Sequence, residues 1–101
     1  MGKNKTIKSI GKIIGNIVVH KLLVNKTNRP ESLHHLQSEV NTYRDNVFEI
    51  AQEYNWNDSD KQKIFNESIR AFKSRIQKYS NVKYLMKEAK ALIRETIKEV
   101  I

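Results

Sequence analysis

The residues that could take part in catalysis or metal binding are few in this sequence and poorly arranged. Cysteine is absent, which excludes thiol nucleophiles, disulfides and thiolate metal sites. His34 and His35 are neighbours on a predicted helix, where their side chains diverge by about 100°, so we expect solvated histidines and not a shared metal. Asp58 and Asp60 precede another predicted helix, where the helix dipole alone favours acidic side chains. No Ser-His-Asp order, glycine-rich phosphate loop or His/Glu metal spacing is present. We therefore expect a protein that is not an enzyme and binds no cofactor or metal directly.

The basic side chains are more informative. The net charge is +8, and residues 1–30 contain seven Lys or Arg residues but no acidic residue. A second basic stretch has no acid between Glu67 and Glu88, and its cations are Arg70, Lys73, Arg75, Lys78, Lys83 and Lys87. Both stretches favour an acidic partner, whether protein, nucleic acid or lipid.

Apolar residues repeat at helical spacing through most of the chain. Three stripes step by 3 or 4 residues along most of their length: Leu33, Leu36, Val40, Tyr43, Val47, Ile50 and Tyr54; Phe65, Ile69, Phe72, Ile76 and Tyr79; and Val82, Met86, Ala89, Ile93, Ile97 and Val100. Polar turns are predicted at residues 25–30, 55–60 and 80–81, and Ser59 and Gln62 fit a capping box at the start of the middle helix. The pattern predicts an all-α fold, an antiparallel three-helix bundle over residues 30–101.

The segment before Pro30 differs from the rest. Its Ile residues gather on one side of a helical wheel, opposite Lys5, Lys8 and Lys12, which predicts a basic amphipathic helix. Gly11 and Gly15 have the spacing that lets a helix approach a neighbour closely. We therefore divide the chain into residues 1–29, an N-terminal amphipathic helix and linker, and residues 30–101, the bundle. Residues 5–24 are expected to contact a membrane surface or another partner that the bundle does not supply.

Three short segments occur in a specific order along the predicted helices. Thr42-Tyr43-Arg44 lies in the first bundle helix, Ile69-Arg70-Ala71-Phe72-Lys73-Ser74-Arg75 in the second, and Leu85-Met86-Lys87-Glu88-Ala89 in the third. In this order and spacing, residues 36–100 resemble the LYR-motif family, also called complex 1 LYR-like, of small mitochondrial three-helix proteins. Thr42 stands where the family has leucine, and the helix before residue 30 has no counterpart in the family pattern.

The resemblance implies a specific role. LYR proteins are non-catalytic accessory subunits or assembly factors, and we expect this one in a mitochondrial complex of the respiratory chain, on the matrix side of the inner membrane. Their partner is the acidic mitochondrial acyl carrier protein, whose acylated phosphopantetheine enters the helical bundle. Carried over to this chain, the residues that would bind the carrier protein are Tyr43, Arg44, Arg70, Phe72, Lys73 and Arg75. The four cations would form a charged rim, and Phe72 would line an apolar slot with Tyr43, Val47 and Ile69.

Two other classes of partner are compatible with the positive net charge. Nucleic acid is the less favoured, because the helices are long and the turns lack the glycine that is common in a helix-turn-helix. A membrane-surface protein would use the N-terminal helix. In the simplest alternative Phe72 is only a core residue and the cations are only solvated surface.

Overall fold

The computed structural model describes residues 2–26, 30–79 and 82–101, and over these ranges the fold is all-α, as the apolar spacing predicts. Its helices are α1 (Gly2–Lys26), α2 (Pro30–Ala51), α3 (Asp58–Ile76) and α4 (Met86–Val100). The described ranges contain no strand. Of the predicted turns, the one at residues 55–60 separates α2 from α3. The other two fall mainly on residues 27–29 and 80–81, outside the described residues.

Helix α1 lies at the centre of the fold. It packs against α2, α3 and α4, whereas no Cα atoms of α2 and α3 come within 8 Å of each other in the described structure. Its buried apolar residues are Ile7, Ile10, Ile14, Ile17, Val18, Val19 and Leu22. They form one core cluster with the buried residues of the other three helices. The structure therefore differs from the expected bundle of residues 30–101 with residues 1–29 outside it, because all four helices share a single core.

The apolar circumference of α1 explains this arrangement. Each of the other helices has a one-sided apolar stripe, which one neighbour can cover. In α1 the four successive residues Ile17, Val18, Val19 and His20 are all buried, although they point in different directions around the helix. Only a helix covered from several sides can bury such a segment. The stripes of α2 and α3 consequently pack on α1 and not on each other.

Two glycines allow α1 and α3 to approach closely. A Cβ atom on Gly15 would lie 2.6 Å from the Cβ of Ala71 and 2.8 Å from the backbone nitrogen of Phe72. A Cβ atom on Gly11 would collide with the Cβ of Glu67. The prediction that this glycine pair eases packing against a neighbouring helix is confirmed, and the neighbour is α3.

The start of α3 corrects one sequence prediction. The capping box uses Asn57 and Asp60, and not Ser59 and Gln62. Asp60 N–H donates to Asn57 Oδ1 over 2.8 Å, and Asn57 N–H donates to Asp60 Oδ2 over 3.3 Å. Asn57 has the extended backbone that a capping residue needs, and asparagine is among the best residues at that position. The helix thus begins one residue before Ser59.

The predicted stripes extend beyond two helix ends. Helix α2 ends at Ala51, so Tyr54 lies outside it, and Trp56 Nε1 donates to the Ala51 carbonyl over 2.8 Å. That bond satisfies one of the carbonyl groups left unpaired at a helix C-terminus. Helix α4 begins at Met86, so Val82 precedes it, although Val82 still packs against the core. Apolar spacing alone does not reveal where a helix stops, because residues after the last turn can pack on the same core.

Replacing Gly15 with alanine tests the close approach of α1 and α3. Alanine favours a helix by about 0.5–1 kcal/mol over glycine, but the added methyl group must displace the backbone of α3, and such overpacking costs about 1–3 kcal/mol. We expect Gly15→Ala to lower the free energy of unfolding by about 1–2 kcal/mol in urea denaturation. Ser9→Ala, at an exposed position of the same helix, is the control and should be neutral or slightly stabilising. Equal stability of the two variants would show that the contact between α1 and α3 can accommodate a methyl group at position 15.

Candidate functional site

Exposed cations lie along α3 and near the start of α4. Arg70, Lys73 and Arg75 of α3 are exposed, and so are Lys78 after α3, Lys83 before α4 and Lys87 in the first turn of α4. We call these six residues the basic face. They lie outside the buried stripe of α3, which is formed by Ile64, Ser68, Phe72 and Ile76. Folding thus buries the stripe of α3 and leaves the positive charge of the basic face in water.

The cations of the basic face form few ion pairs with acidic side chains. The side chain of Arg70 is 79% exposed, and its Nη1 atom lies 3.7 Å from Glu67 Oε2, a long distance for an ion pair. Among the described residues, the other five members of the basic face form no ion pair. Exposed like charges without partners repel one another and contribute little to stability. A partner with the opposite charge would relieve this repulsion.

Residues 82–85, which precede α4, are held against the core through Val82 and Tyr84. The ring of Tyr84 packs edge-to-face on the ring of Phe72, with 5.2 Å between centroids. Along residues 82–85, half-buried and exposed side chains alternate, as expected for extended backbone. Lys83 is therefore turned outwards while Tyr84 is turned inwards. This packing fixes the part of the basic face that lies beyond α3.

The six residues expected to bind a carrier protein do not form one site. Arg70 and Lys73 are three residues apart and share one side of α3, whereas Arg75, two residues after Lys73, points to another side. Tyr43 and Arg44 belong to α2, which α1 separates from α3. Phe72 is fully buried. The structure therefore places three of the predicted cations along α3, with Arg70 and Lys73 on the same side of it, and places Tyr43 and Arg44 elsewhere.

Arg44 belongs to a separate polar network. Its Nη1 atom lies 3.4 Å from Glu99 Oε1, and its Nη2 atom donates to Asn41 Oδ1 over 2.6 Å. It lines a cleft of about 550 Å³ between α2, α4 and the end of α1. Lys21 lines the same cleft, and its ammonium group contacts Glu99 at 2.9 Å, Glu95 at 3.3 Å and the Thr96 hydroxyl at 2.9 Å. Two cations thus face two carboxylates, so this cleft carries no excess charge to attract an acidic partner.

Lys21 was not identified from the sequence. Its side chain is only 13% exposed, and its three N–H donors match its three acceptors. The sequence feature that could have identified it is a lysine within the largely apolar segment 18–23. A cation buried in such a segment needs hydrogen-bonding partners. Those partners lie more than 70 residues away in the sequence, so only the fold could identify them.

Two of the three histidines meet the same carboxylate. His20 is buried, its Nε2 atom lies 2.5 Å from Glu39 Oε2, and its Nδ1 atom lies 2.8 Å from the Asn16 carbonyl oxygen. The ring also packs edge-to-face on Tyr43, with 5.6 Å between centroids. The exposed His35 contacts the other oxygen of Glu39 at 2.9 Å. These contacts join α1 to α2 and explain why Tyr43 is half-buried.

Asp60 is tied to α1 as well as to its own helix. The ammonium group of Lys3 lies 2.6 Å from Asp60 Oδ2. This hydrogen bond lowers the pKa of Asp60 below its ordinary value of 3.8, against the opposing effect of partial burial and with the help of the Asn57 backbone N–H. Asp58 is exposed. The two carboxylates therefore have different surroundings, and Asp60 has a structural role at the start of α3.

Neither metal binding nor membrane crossing is supported by the described part of the chain. Over residues 2–26, 30–79 and 82–101, no group of three or more His, Asp or Glu side chains is placed to hold a metal ion. None of the described helices combines the length and the low polarity needed to cross a membrane. No protein-family model, curated protein or solved structure matches this chain. The resemblance to the LYR family therefore stays a prediction.

The ion pair between Lys3 and Asp60 predicts a specific pH dependence. Because the pKa of Asp60 is lowered in the folded protein, its contribution to stability is complete above the unfolded-state value near 3.9 and disappears as the pH falls through the folded-state value. We expect Asp60→Asn to lower the melting temperature at pH 7, and the difference from the wild type to shrink between about pH 5 and pH 2.

Asp45→Asn is the control for this experiment, because Asp45 is an exposed carboxylate in the middle of α2. Its substitution should change the melting temperature less at pH 7. Thermal melts followed by circular dichroism across this pH range measure both variants. A difference between wild type and Asp60→Asn that stays constant down to pH 2 would contradict the assignment.

Proposed function

We propose that this protein is a non-catalytic binding subunit that docks an acidic protein on its basic face. The observation that carries the proposal is the basic face itself, six exposed cations with no acid between residues 68 and 87. Complementary charge raises the rate at which partners meet and fixes their relative orientation. Charges that have no internal partner can make such contacts without first breaking an ion pair.

The proposed partner is the acyl carrier protein that the LYR resemblance implies. Under this proposal the chain is an accessory subunit or assembly factor of a mitochondrial complex, in the respiratory chain, on the matrix side of the inner membrane. The order of Tyr43-Arg44 and Ile69–Arg75 along the chain supports the family assignment. The exposure of Arg70, Lys73 and Arg75 supports charge pairing with an acidic helical surface.

The geometry changes how such a partner would dock. Phe72 has no exposed surface and packs against Tyr84, and the space between the stripes of α2 and α3 is filled by α1. An acyl chain entering that space would have to displace α1. We therefore propose contact with the exposed surface of α3, through Arg70, Lys73 and Arg75, and not through an open slot at Phe72 and Tyr43.

The alternative partners differ in how they fit this structure. A nucleic acid would use the same basic face through its phosphates, with a steep dependence on salt. A membrane surface would need the apolar face of α1, and most of that face is buried in the core. Nucleic acid is therefore the alternative partner of the basic face, and a binding experiment must distinguish it from an acidic protein.

Charge reversal on α3 tests the proposal. We expect the full-length variant Lys73→Glu/Arg75→Glu to bind purified holo acyl carrier protein about tenfold more weakly than the wild type, because two attractive contacts become repulsive. Isothermal titration calorimetry at two salt concentrations measures the affinity, and the wild-type affinity should fall as salt rises.

The matched control reverses two cations on the same helix. Lys61→Glu/Lys63→Glu makes the same change of charge beside Asp58 and Asp60, outside the basic face, and should weaken binding much less. Equal affinities of the two variants would contradict the proposal. Absence of carrier protein binding, together with salt-sensitive binding of duplex DNA that only the first variant loses, would assign the face to nucleic acid.

A further inference from the structure

Leu85 is the most exposed large apolar residue of the described structure. Its side chain is 71% exposed, whereas Tyr84 before it and Met86 after it are half-buried. Its backbone is extended, with φ of −101° and ψ of 142°, so it points away from the side on which Tyr84 packs against Phe72. The fold therefore holds this leucine in water.

Leucine is also disfavoured at the position that Leu85 occupies. It is the N-cap of α4, and its side chain makes no capping hydrogen bond. Asn, Asp, Ser and Thr are strongly preferred there, because their side chains accept hydrogen bonds from the first free N–H groups of the helix. A residue that neither caps the helix nor joins the core does not serve the stability of the isolated fold. Departures from local preference of this kind are expected at functional sites.

The surroundings of Leu85 indicate what covers it. The exposed residues Lys83 and Lys87 lie two positions before and after it, at the end of the basic face. A partner at this place must offer negative charge together with an apolar recess. Phosphate groups offer the charge but nothing for an aliphatic side chain. An acidic amphipathic helix of a protein offers both, as its carboxylates can pair with the lysines while its apolar side receives the leucine.

We propose that Leu85 is the apolar anchor of the docking surface and inserts into the apolar side of an acidic helix whose carboxylates pair with Lys83 and Lys87. This inference rests on the proposed function, which supplies an acidic protein as the partner, and adds where on the basic face the partner is recognised. Moving an exposed leucine side chain out of water favours binding, while the charge pairs at Lys83 and Lys87 orient the partner.

Leu85→Asn separates a binding role from a structural one. Asparagine is a preferred N-cap, so the variant should melt at the same temperature as the wild type or a few degrees higher. Binding is measured in the full chain with two acidic helical peptides of equal length and charge, one with leucine along its apolar side and one with alanine. We expect the wild type to bind the leucine peptide about tenfold more tightly, and Leu85→Asn to lose this preference.

Phe48→Asn is the control, because Phe48 is the other large apolar residue exposed in the described ranges and belongs to α2, away from the basic face. It should keep the preference for the leucine peptide. The inference is overturned if the wild type binds the two peptides equally or not at all, if Leu85→Asn retains the preference, or if Leu85→Asn melts well below the wild type. Leu85-dependent binding to anionic vesicles without a peptide preference would also overturn it.

The two proposals can fail separately. If charge reversal at Lys73 and Arg75 weakens carrier protein binding while Leu85→Asn shows no peptide preference to lose, the proposed function stands and the role of Leu85 falls. If the leucine preference depends on Leu85 but the carrier protein does not bind, the docking surface stands and belongs to another acidic protein.

Discussion

The backbones of α1 and α3 approach so closely at Gly11 and Gly15 that neither position has room for a Cβ atom. This contact places α1 against the buried stripe of α3, and the apolar circumference of α1 then leaves two further sides to be covered by α2 and α4. A larger residue at either glycine would push the helices apart and expose part of the core. The arrangement of the four helices thus depends on glycine, the residue without a Cβ atom, at positions 11 and 15.

Placing α1 in the centre determines which surfaces are available for function. The space that a three-helix bundle would leave between α2 and α3 is occupied, and the polar groups that α1 carries into the interior are paired there. Lys21 meets the carboxylates of α4, and His20 meets Glu39 of α2. The six cations of the basic face stay on the outside, and of these six only Arg70 forms an ion pair within the described part of the chain. The candidate site is therefore a convex charged surface and not a pocket.

Much of the secondary structure could be predicted from the sequence, because one-sided apolar stripes specify helices and their inward faces. Val40, Val47, Phe72, Ile93 and Ile97 are buried as their spacing predicts. The order in which the helices pack could not be predicted in the same way, since a stripe shows that a face is covered but not by which neighbour. The separation of Arg44 from Arg70 follows from that packing. The exposure of Leu85 follows from a local feature, the extended backbone at the start of α4, which interrupts the stripe that begins at Val82.

Both the fold and the docking surface depend on the central position of α1. Amide hydrogen exchange of the full chain tests this position most directly. Amides in the buried centre of a helix exchange only when the whole fold opens, whereas those of a helix packed on the outside exchange through local opening. We expect the segment from Ile10 to Leu22 of α1 to be protected as strongly as the buried stripe of α3, and both to lose protection together under mild denaturant. Rapid exchange along α1, with α2, α3 and α4 still protected, would show that these three helices form a core without it.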